Sequence, residues 1–281
     1  MTTRIESLSR PDLFSHLRAL GAIASKDWKH YWRYPLNAIS SIFQPIIWLT
    51  PVYFMGQAFS VGGKALGFAA YSGTTDYMSF VLLGAALSHF IDAVFWGMGY
   101  ALKNDMSSGV LEANWLTPIP RPILLIGRTI TSLVITAFTS LAMLLVAGLL
   151  FGFHPGGNTL AALLTVIPML VGLYGFGFAF AALVLVMREA NTLVDVSSFL
   201  VTTFSGTQFP VNSLPRWLLP VSLALPLTYG FDAVRGFLLK TRTLMPIYLE
   251  LVILVLFMFI MIIFGLYIFN RLELWVRTRG T

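Results

Sequence analysis

Hydrophobic residues occur along this chain in long runs that charged residues interrupt at only a few places. The longest such run, 129–187, contains no Lys, Arg, Asp or Glu. A membrane-spanning helix needs about 20 apolar residues, so this run predicts two spans joined by a turn at His154–Asn158. Four other runs complete a prediction of six spans, although the first contains two prolines and the fifth is short. The predicted spans are 37–59, 77–101, 129–152, 160–187, 192–209 and 247–270.

The segment from Phe209 to Gly236 is apolar, but four prolines interrupt it. Each proline removes a backbone donor and restricts the residue before it, so no helix long enough to cross a membrane can pass through the segment. Broken apolar backbone at membrane depth must be buried in protein or line a cavity. We therefore predict a re-entrant helical pair over residues 210–243, which enters the membrane and returns without crossing it.

Two polar segments are predicted to form short helices along the membrane surface. Pro11 to Tyr34 has apolar residues at helical spacing and cations mostly on the other face, which indicates an amphipathic interfacial helix. Residues 1–36 are thus predicted to be a cytoplasmic N-terminal region, and residues 37–281 the transmembrane domain. In the loop 103–122, Ser107 or its neighbour can cap a helix that prolines then end. Such a helix is either an ordinary capped loop or a lever that transmits movement to two spans.

The composition excludes a soluble domain. The chain has 281 residues, of which 57% are hydrophobic and 11% charged, with a mean hydropathy of +0.80, whereas soluble domains carry about 25% charged residues. The absence of cysteine excludes disulfides and thiolate metal sites. Most of the 18 Lys and Arg residues lie on the same side of the predicted spans as the N-terminus. This distribution predicts a multi-pass protein of the cytoplasmic (inner) membrane with both termini in the cytoplasm.

Two of these segments resemble motifs of the ABC-2 type transporter permeases, the membrane subunits of many bacterial ABC exporters. The outer motif, which we name the outer gate, contains Phe209, Pro210, Leu214, Pro215, Tyr229, Asp232 and Arg235. The inner motif contains Ser107, Gly109, Glu112, Trp115, Pro118 and Arg121, although Val110 stands where the family usually has Thr or Ser. Arg33, Pro35 and Gln44 make the N-terminal region more similar to drug-exporting permeases of the daunorubicin-resistance type than to the O-antigen type.

The resemblance implies an all-α integral membrane protein that exports a hydrophobic or amphipathic molecule, either a drug or a lipid-like compound. It also implies two separate ATPase subunits, which bind ATP and Mg, and a second permease copy, as a homodimer or with a paralogue. The chain lacks the phosphate-binding loop GxxxxGK[ST], so we expect no catalytic residue or cofactor of its own. We expect membrane lipid as a partner and do not expect nucleic acid. The alternatives are export of a lipid-linked polysaccharide and secondary transport without ATP. A secondary transporter would be expected to contain paired inverted repeats.

The resemblance assigns contact with the ATPase to the inner motif and, more weakly, to Arg188 and Glu189. A translocation path is predicted from polar and aromatic residues within the spans. Its candidates are Phe43, Trp48, His89, Asp92, Asp195, Phe199 and Phe204. The aromatic members can instead be bulk that faces lipid or the core, and no metal site is predicted from these residues.

Two pairs in these sets have alternative interpretations. His89 and Asp92 share a helix face and form either a polar spot on the path or a mutually satisfied pair that fixes helix packing. Asp232 and Arg235 are one helical turn apart, and their spacing predicts a salt bridge. That bridge would either hold the outer segment shut or only satisfy two charges near the interface.

Overall fold

The computed structural model describes residues 13–62, 64–100, 103, 107–109, 121–187 and 190–279. Within these ranges the chain forms ten α-helices, one π-helical segment and one short 3-10 helix, with no β-strand. The α-helices are α1 (Leu13–Arg33), α2 (Pro35–Ala58), α3 (Leu66–Ser72), α4 (Tyr77–Asp92), α5 (Arg121–Phe151), α6 (Thr159–Val186), α7 (Ala190–Phe204), α8 (Leu219–Ala224), α9 (Pro226–Leu239) and α10 (Ile247–Arg279). The π-helical segment Ala93–Gly99 continues α4, and the 3-10 helix Val211–Ser213 precedes α8.

Five helical stretches within the described residues are long and apolar enough to cross a membrane. They are Pro35–Ala58, Tyr77–Met98, Ile126–Phe151, Thr159–Val184 and Ile247–Arg271. The sequence-based prediction of an all-α, multi-pass membrane protein is therefore confirmed. α7 has 15 residues, or about 22 Å of helix, which is short of a hydrocarbon core of about 30 Å. The sixth span therefore stays a prediction.

Each predicted span overlaps a helix, although α5 begins eight residues earlier, α7 ends five residues earlier and α10 ends nine residues later than the predicted bounds. α2 continues through Pro45 and Pro51 without a break, although an interior proline removes one helical hydrogen bond. The predicted turn between the third and fourth spans is present, because α5 ends at Phe151 and Asn158 caps α6 by accepting a hydrogen bond from the Ala161 N–H. α1 follows the predicted amphipathic segment and packs against α5, while its place at the membrane surface stays a prediction.

α6 lies at the centre of the helical packing and contacts α9, α10 and the π-helical segment. Gly175 and Gly265 allow α6 and α10 to approach closely. A Cβ added to Gly175 would lie 2.8 Å from the Met261 carbonyl carbon, and one added to Gly265 would overlap the Gly175 carbonyl. Small residues permit such backbone contact between helices in a membrane, so the α6–α10 pair packs within one chain.

The segment after α7 is broken in the way that its prolines predict. Gly206 has φ +75°, the left-handed conformation that commonly ends helices. The 3-10 helix and the six-residue α8 follow, and Pro226 then starts the 14-residue α9. Neither α8 nor α9 is long enough to span a membrane. α9 is largely buried against α6 and α10.

Candidate functional site

Arg235 on α9 is the central residue of the outer gate. Its side chain is 2% exposed. Nη1 donates a hydrogen bond to the Gly206 carbonyl at 2.6 Å, and Nη2 donates to the carbonyls of Thr207 and Phe80. The guanidinium also lies over the Phe80 ring, 3.5 Å from its centre, in a cation–π contact. One side chain therefore joins α9 to the first turn of α4 and to the turn that follows α7.

The end of α7 explains why a guanidinium fits this position. The last carbonyls of a helix have no intrahelical donor, and the aligned peptide dipoles make that end partly negative. The chain turns away at Gly206, so its carbonyl and that of Thr207 are buried beyond the helix. Arg235 supplies several donors in one plane and satisfies both.

The predicted salt bridge between Asp232 and Arg235 is wrong. No ion pair joins these two described residues. Asp232 Oδ2 instead accepts a hydrogen bond from the Leu244 N–H, and Arg235 binds the three carbonyls. The i, i+3 spacing places both residues near one face of α9, but each side chain binds backbone groups rather than the other side chain. The gate is thus held by bonds between side chains and the backbone.

Hydrogen bonds also connect α8 to α9. The Tyr229 hydroxyl donates to the Leu223 carbonyl at 2.8 Å, and the Thr228 hydroxyl donates to the Ser222 carbonyl at 2.6 Å. The Tyr229 bond supplies a donor to a carbonyl at the end of α8, where helical donors are missing, and the Thr228 bond adds to the one that the Ser222 carbonyl accepts from the Leu225 N–H. Of the other gate residues, Phe209, Pro210 and Leu214 are half-buried and Pro215 is exposed.

His89 and Asp92 do not satisfy each other, so the interpretation as a mutually satisfied pair is wrong. His89 Nδ1 lies 3.3 Å from the Ser140 hydroxyl on α5, and Asp92 Oδ1 accepts a 2.8 Å hydrogen bond from Ser198 on α7. Two residues on one helix face therefore connect α4 to two different helices. Ser140 and Ser198 were not predicted as partners, because the sequence around a serine in an apolar helix does not indicate which distant residue it will contact.

Most of the remaining path candidates lie on the surface of the single chain. Trp48 is 74% exposed on α2, and Phe199 is 68% exposed on α7. Phe43, Asp92 and Asp195 are also exposed. Phe204 is half-buried. α4 contacts both α2 and α7, so the candidates occupy three adjacent helices. Asp92 lies within the apolar stretch Tyr77–Met98, and an exposed carboxylate at membrane depth is costly against lipid, which favours a protein or aqueous neighbour for it.

Part of the inner motif lies within the described residues. Ser107 is exposed, Gly109 has φ +68°, and Arg121 begins α5. The other predicted contacts with an ATPase lie outside the described residues; these are Glu112, Trp115, Pro118, Arg188 and Glu189.

One contact that the sequence did not predict joins the segment between α4 and α5 to the segment between α6 and α7. Lys103 Nζ donates a hydrogen bond to the Met187 carbonyl at 3.2 Å. Met187 follows the last residue of α6, where a cation is favourable beside the helix C-terminus. Lys103, at the start of the loop 103–122, is therefore attached to the residue that directly precedes Arg188 and Glu189 in the sequence. No sequence spacing predicts a contact between positions so far apart.

Comparison with known proteins places these features in a family. The family model described as ABC-2 type transporter matches residues 18–239. The probable doxorubicin resistance ABC transporter permease protein DrrC of Mycobacterium tuberculosis is 26% identical over 218 residues, which cover 75% of this chain and 73% of the relative. The daunorubicin resistance ABC transporter permease protein DrrB1 of Streptomyces coeruleorubidus is 24% identical over 246 residues, covering 83% of this chain and 82% of the relative. The putative transport permease ycf38 of Porphyra purpurea is 23% identical over 231 residues, covering 80% and 76%.

Proposed function

Because the chain belongs to the ABC-2 type transporter family, we propose that it exports amphipathic drug molecules or lipid-like compounds as one membrane subunit of a larger assembly. It is a permease subunit of an ABC transporter, and the family works with ABC ATPase partners. The drug class follows from relatives that are named for resistance to doxorubicin and daunorubicin. We place the protein in the inner membrane with both termini in the cytoplasm.

The observation that carries this proposal is the unequal structure of the two ends of α4 and α7. Arg235 closes one end by binding the Phe80 carbonyl at the start of α4 and the Gly206 carbonyl after α7. Toward the other end, Asp92 and Asp195 are exposed on the same two helices. Two helices that are joined at the outer gate and carry exposed carboxylates toward their other end would suit a substrate that enters from the cytoplasm or the inner leaflet.

A second permease copy would complete the path. Phe43 and Trp48 on α2 and Phe199 on α7 are exposed aromatic residues on the two helices that contact α4. Two chains that bring these helices together would enclose a larger space, with one outer gate from each chain. The minimal assembly is two permeases with two ATPase subunits, and the second permease is an identical copy or a paralogue.

Energy would reach the membrane through the loop 103–122. We assign the contact with the ATPase to Ser107, Gly109, Glu112, Trp115, Pro118 and Arg121, with a smaller contribution from Arg188 and Glu189. The hydrogen bond between Lys103 and the Met187 carbonyl supports this assignment, because it attaches the first connection to the second. Movement of an ATPase against either connection would then act on α6 as well as α5. ATP and Mg would bind to the partner alone.

Reconstitution tests the proposal directly. The permease is purified with its ATPase partner and placed in vesicles, and accumulation of fluorescent doxorubicin is measured with and without ATP. We expect accumulation that requires ATP and stops when the phosphate-loop lysine of the ATPase is replaced. Drug movement that is driven by a proton or sodium gradient without the ATPase would instead establish a secondary transporter.

A further inference from the structure

A polar cavity lies at the gate end of the molecule, outside the Arg235 contacts. Its volume is about 330 Å³, and it is lined by Ala70, Tyr71, Asn212, Arg242, Thr243 and Leu244. These residues come from α3, the 3-10 helix and the loop between α9 and α10. The path, gate and ATPase-contact sets contain none of them, so the function proposed above leaves this cavity unexplained.

The cavity wall is held in place by backbone hydrogen bonds. The Arg242 N–H donates to the Ser72 carbonyl at 2.8 Å, and the Leu244 N–H donates to Asp232 on α9. Gly73 has φ +74°, and a Cβ there would lie 3.1 Å from Arg242 Cβ. The loop that carries Arg242 is thus attached at two points to neighbouring elements, which pre-forms the cavity.

Arg242 gives the cavity its chemistry. The residue is exposed, and its guanidinium has no hydrogen bond or ion pair with any residue that the structure describes. Tyr71, Asn212 and Thr243 add hydroxyl and amide groups to the lining. A planar guanidinium flanked by neutral donors matches the oxygen atoms of a phosphate group.

Among the described residues, no carboxylate lines the cavity. Asp232 accepts a hydrogen bond from the N–H of the lining residue Leu244. Burial raises the pKa of the Asp232 carboxyl above its ordinary value, which disfavours its charged form.

The surroundings indicate that the anion belongs to a lipid. Tyr71, which lines the cavity, is exposed, and Trp217, five residues after the lining residue Asn212 in the chain, is 75% exposed. Exposed aromatic residues beside polar groups are typical of the membrane–water interface. A phosphate in the cavity would then lie at the level where phospholipid head groups occur.

We propose that this cavity binds the phosphate group of an anionic phospholipid, with Arg242 as its principal ligand and Asn212 as a second. The bound lipid would connect α3 to the loop before α10 and stabilise the gate end of the bundle, because a ligand that binds only the folded state shifts unfolding.

Lipid titration of the purified chain in a neutral detergent tests the site. Dioleoyl phosphatidylglycerol is compared with dioleoylglycerol, which has the same acyl chains and no phosphate, and binding is followed by native mass spectrometry and by thermal unfolding. We expect the phosphate-containing lipid to bind and to raise the unfolding temperature of the wild type. In Arg242→Gln its affinity should fall about tenfold or more, as loss of a charged hydrogen bond implies.

Arg216→Gln is the matched control, because Arg216 is an exposed cation of the same segment that does not line the cavity. It should bind the lipid like the wild type. Asn212→Leu, which keeps Arg242, should weaken binding to a smaller extent and provides a second variant if Arg242→Gln does not fold. Equal losses in Arg242→Gln and Arg216→Gln, or equal binding of dioleoylglycerol, would overturn the proposal.

Soluble glycerol phosphate separates the two sources of the anion. If it raises the unfolding temperature at the same concentration as the lipid, the ligand is a free anion and the lipid assignment is wrong. The experiment requires neither an ATPase nor a transported drug, so its failure would leave the proposed export function unaffected.

Discussion

The guanidinium of Arg235 lies 3.5 Å from the centre of the Phe80 ring, although the two residues are separated by 155 positions. Phe80 belongs to the first turn of a membrane-spanning helix, and Arg235 belongs to a helix that is too short to span. Their contact holds the broken segment over the end of α4. The first two predictions concern this contact, because it joins α9 to α4 at the outer gate.

Replacing Arg235 by Met should loosen the broken segment. Met keeps much of the side-chain length but donates no hydrogen bond, so the carbonyls of Gly206 and Thr207 lose their guanidinium donor, while the Phe80 carbonyl keeps its helical bond within α4. Each unsatisfied buried group costs about 1–3 kcal/mol. We expect a lower unfolding temperature and faster proteolysis between α7 and α9. Arg216→Met removes an exposed cation of the same segment and should change neither measurement.

Replacing Gly84 by Ala should disrupt the same contact from the opposite side. A Cβ on Gly84 would overlap the Thr207 carbonyl and the Arg235 guanidinium. Overpacking of this kind costs about 1–3 kcal/mol, and thermal unfolding in detergent measures it. Gly67→Ala on α3, where a Cβ meets no atom within 4 Å, is the control. Equal stability of the two variants would show that the gate end adapts without strain.

Replacing Asp92 by Asn separates charge from packing at the candidate path. The Asn carbonyl can still accept the hydrogen bond from Ser198, so assembly should stay normal while ATP-dependent drug export falls several-fold. Ser198→Ala keeps the charge and removes the bond, and should reduce stability by about 0.5–1.5 kcal/mol with little change in export per folded protein. The opposite result would assign Asp92 to helix packing rather than to transport.

Replacing Glu112 by Ala should uncouple ATP hydrolysis from transport. The prediction comes from the inner motif, in which Glu112 is expected to contact the ATPase subunit. Expression and assembly should stay near normal, and drug export per ATP hydrolysed should fall. Asp105→Ala changes a carboxylate of the same loop outside the motif and is the control. Unchanged export in Glu112→Ala vesicles would refute the assignment of this loop.

Single cysteines should report the side of the membrane on which the broken segment lies. The chain has no cysteine, so Asn212→Cys and Lys240→Cys each introduce one thiol. Both should react with an impermeant reagent added outside intact cells, whereas Ser107→Cys should react only after the membrane is opened. Labelling of Lys240→Cys from the cytoplasm alone would mean that residues 210–243 cross the membrane.

The sequence by itself determined where the long apolar helices lie and where the chain is broken, although not the residue at which each helix begins or ends. Lipid requires each span to be apolar and to satisfy its own backbone, so the composition of a continuous segment is enough to place α2, α5, α6 and α10. Proline acts on its own and the preceding residue, so the break after α7 was also readable. The same local rules predicted the turn that ends at Asn158, which caps α6.

Only the tertiary structure decided the partners of the polar side chains. The spacing of Asp232 and Arg235 suggested a bond between them, but their partners are Leu244 and the backbone at Gly206. Likewise, the polar partner of His89 is Ser140 and not the neighbouring acid. Helical spacing specifies which residues share a face. The hydrogen-bond partner of a side chain is instead the polar group that the packing of the helices brings close to it. Those groups come from distant parts of the chain, which is why local patterns could not identify them.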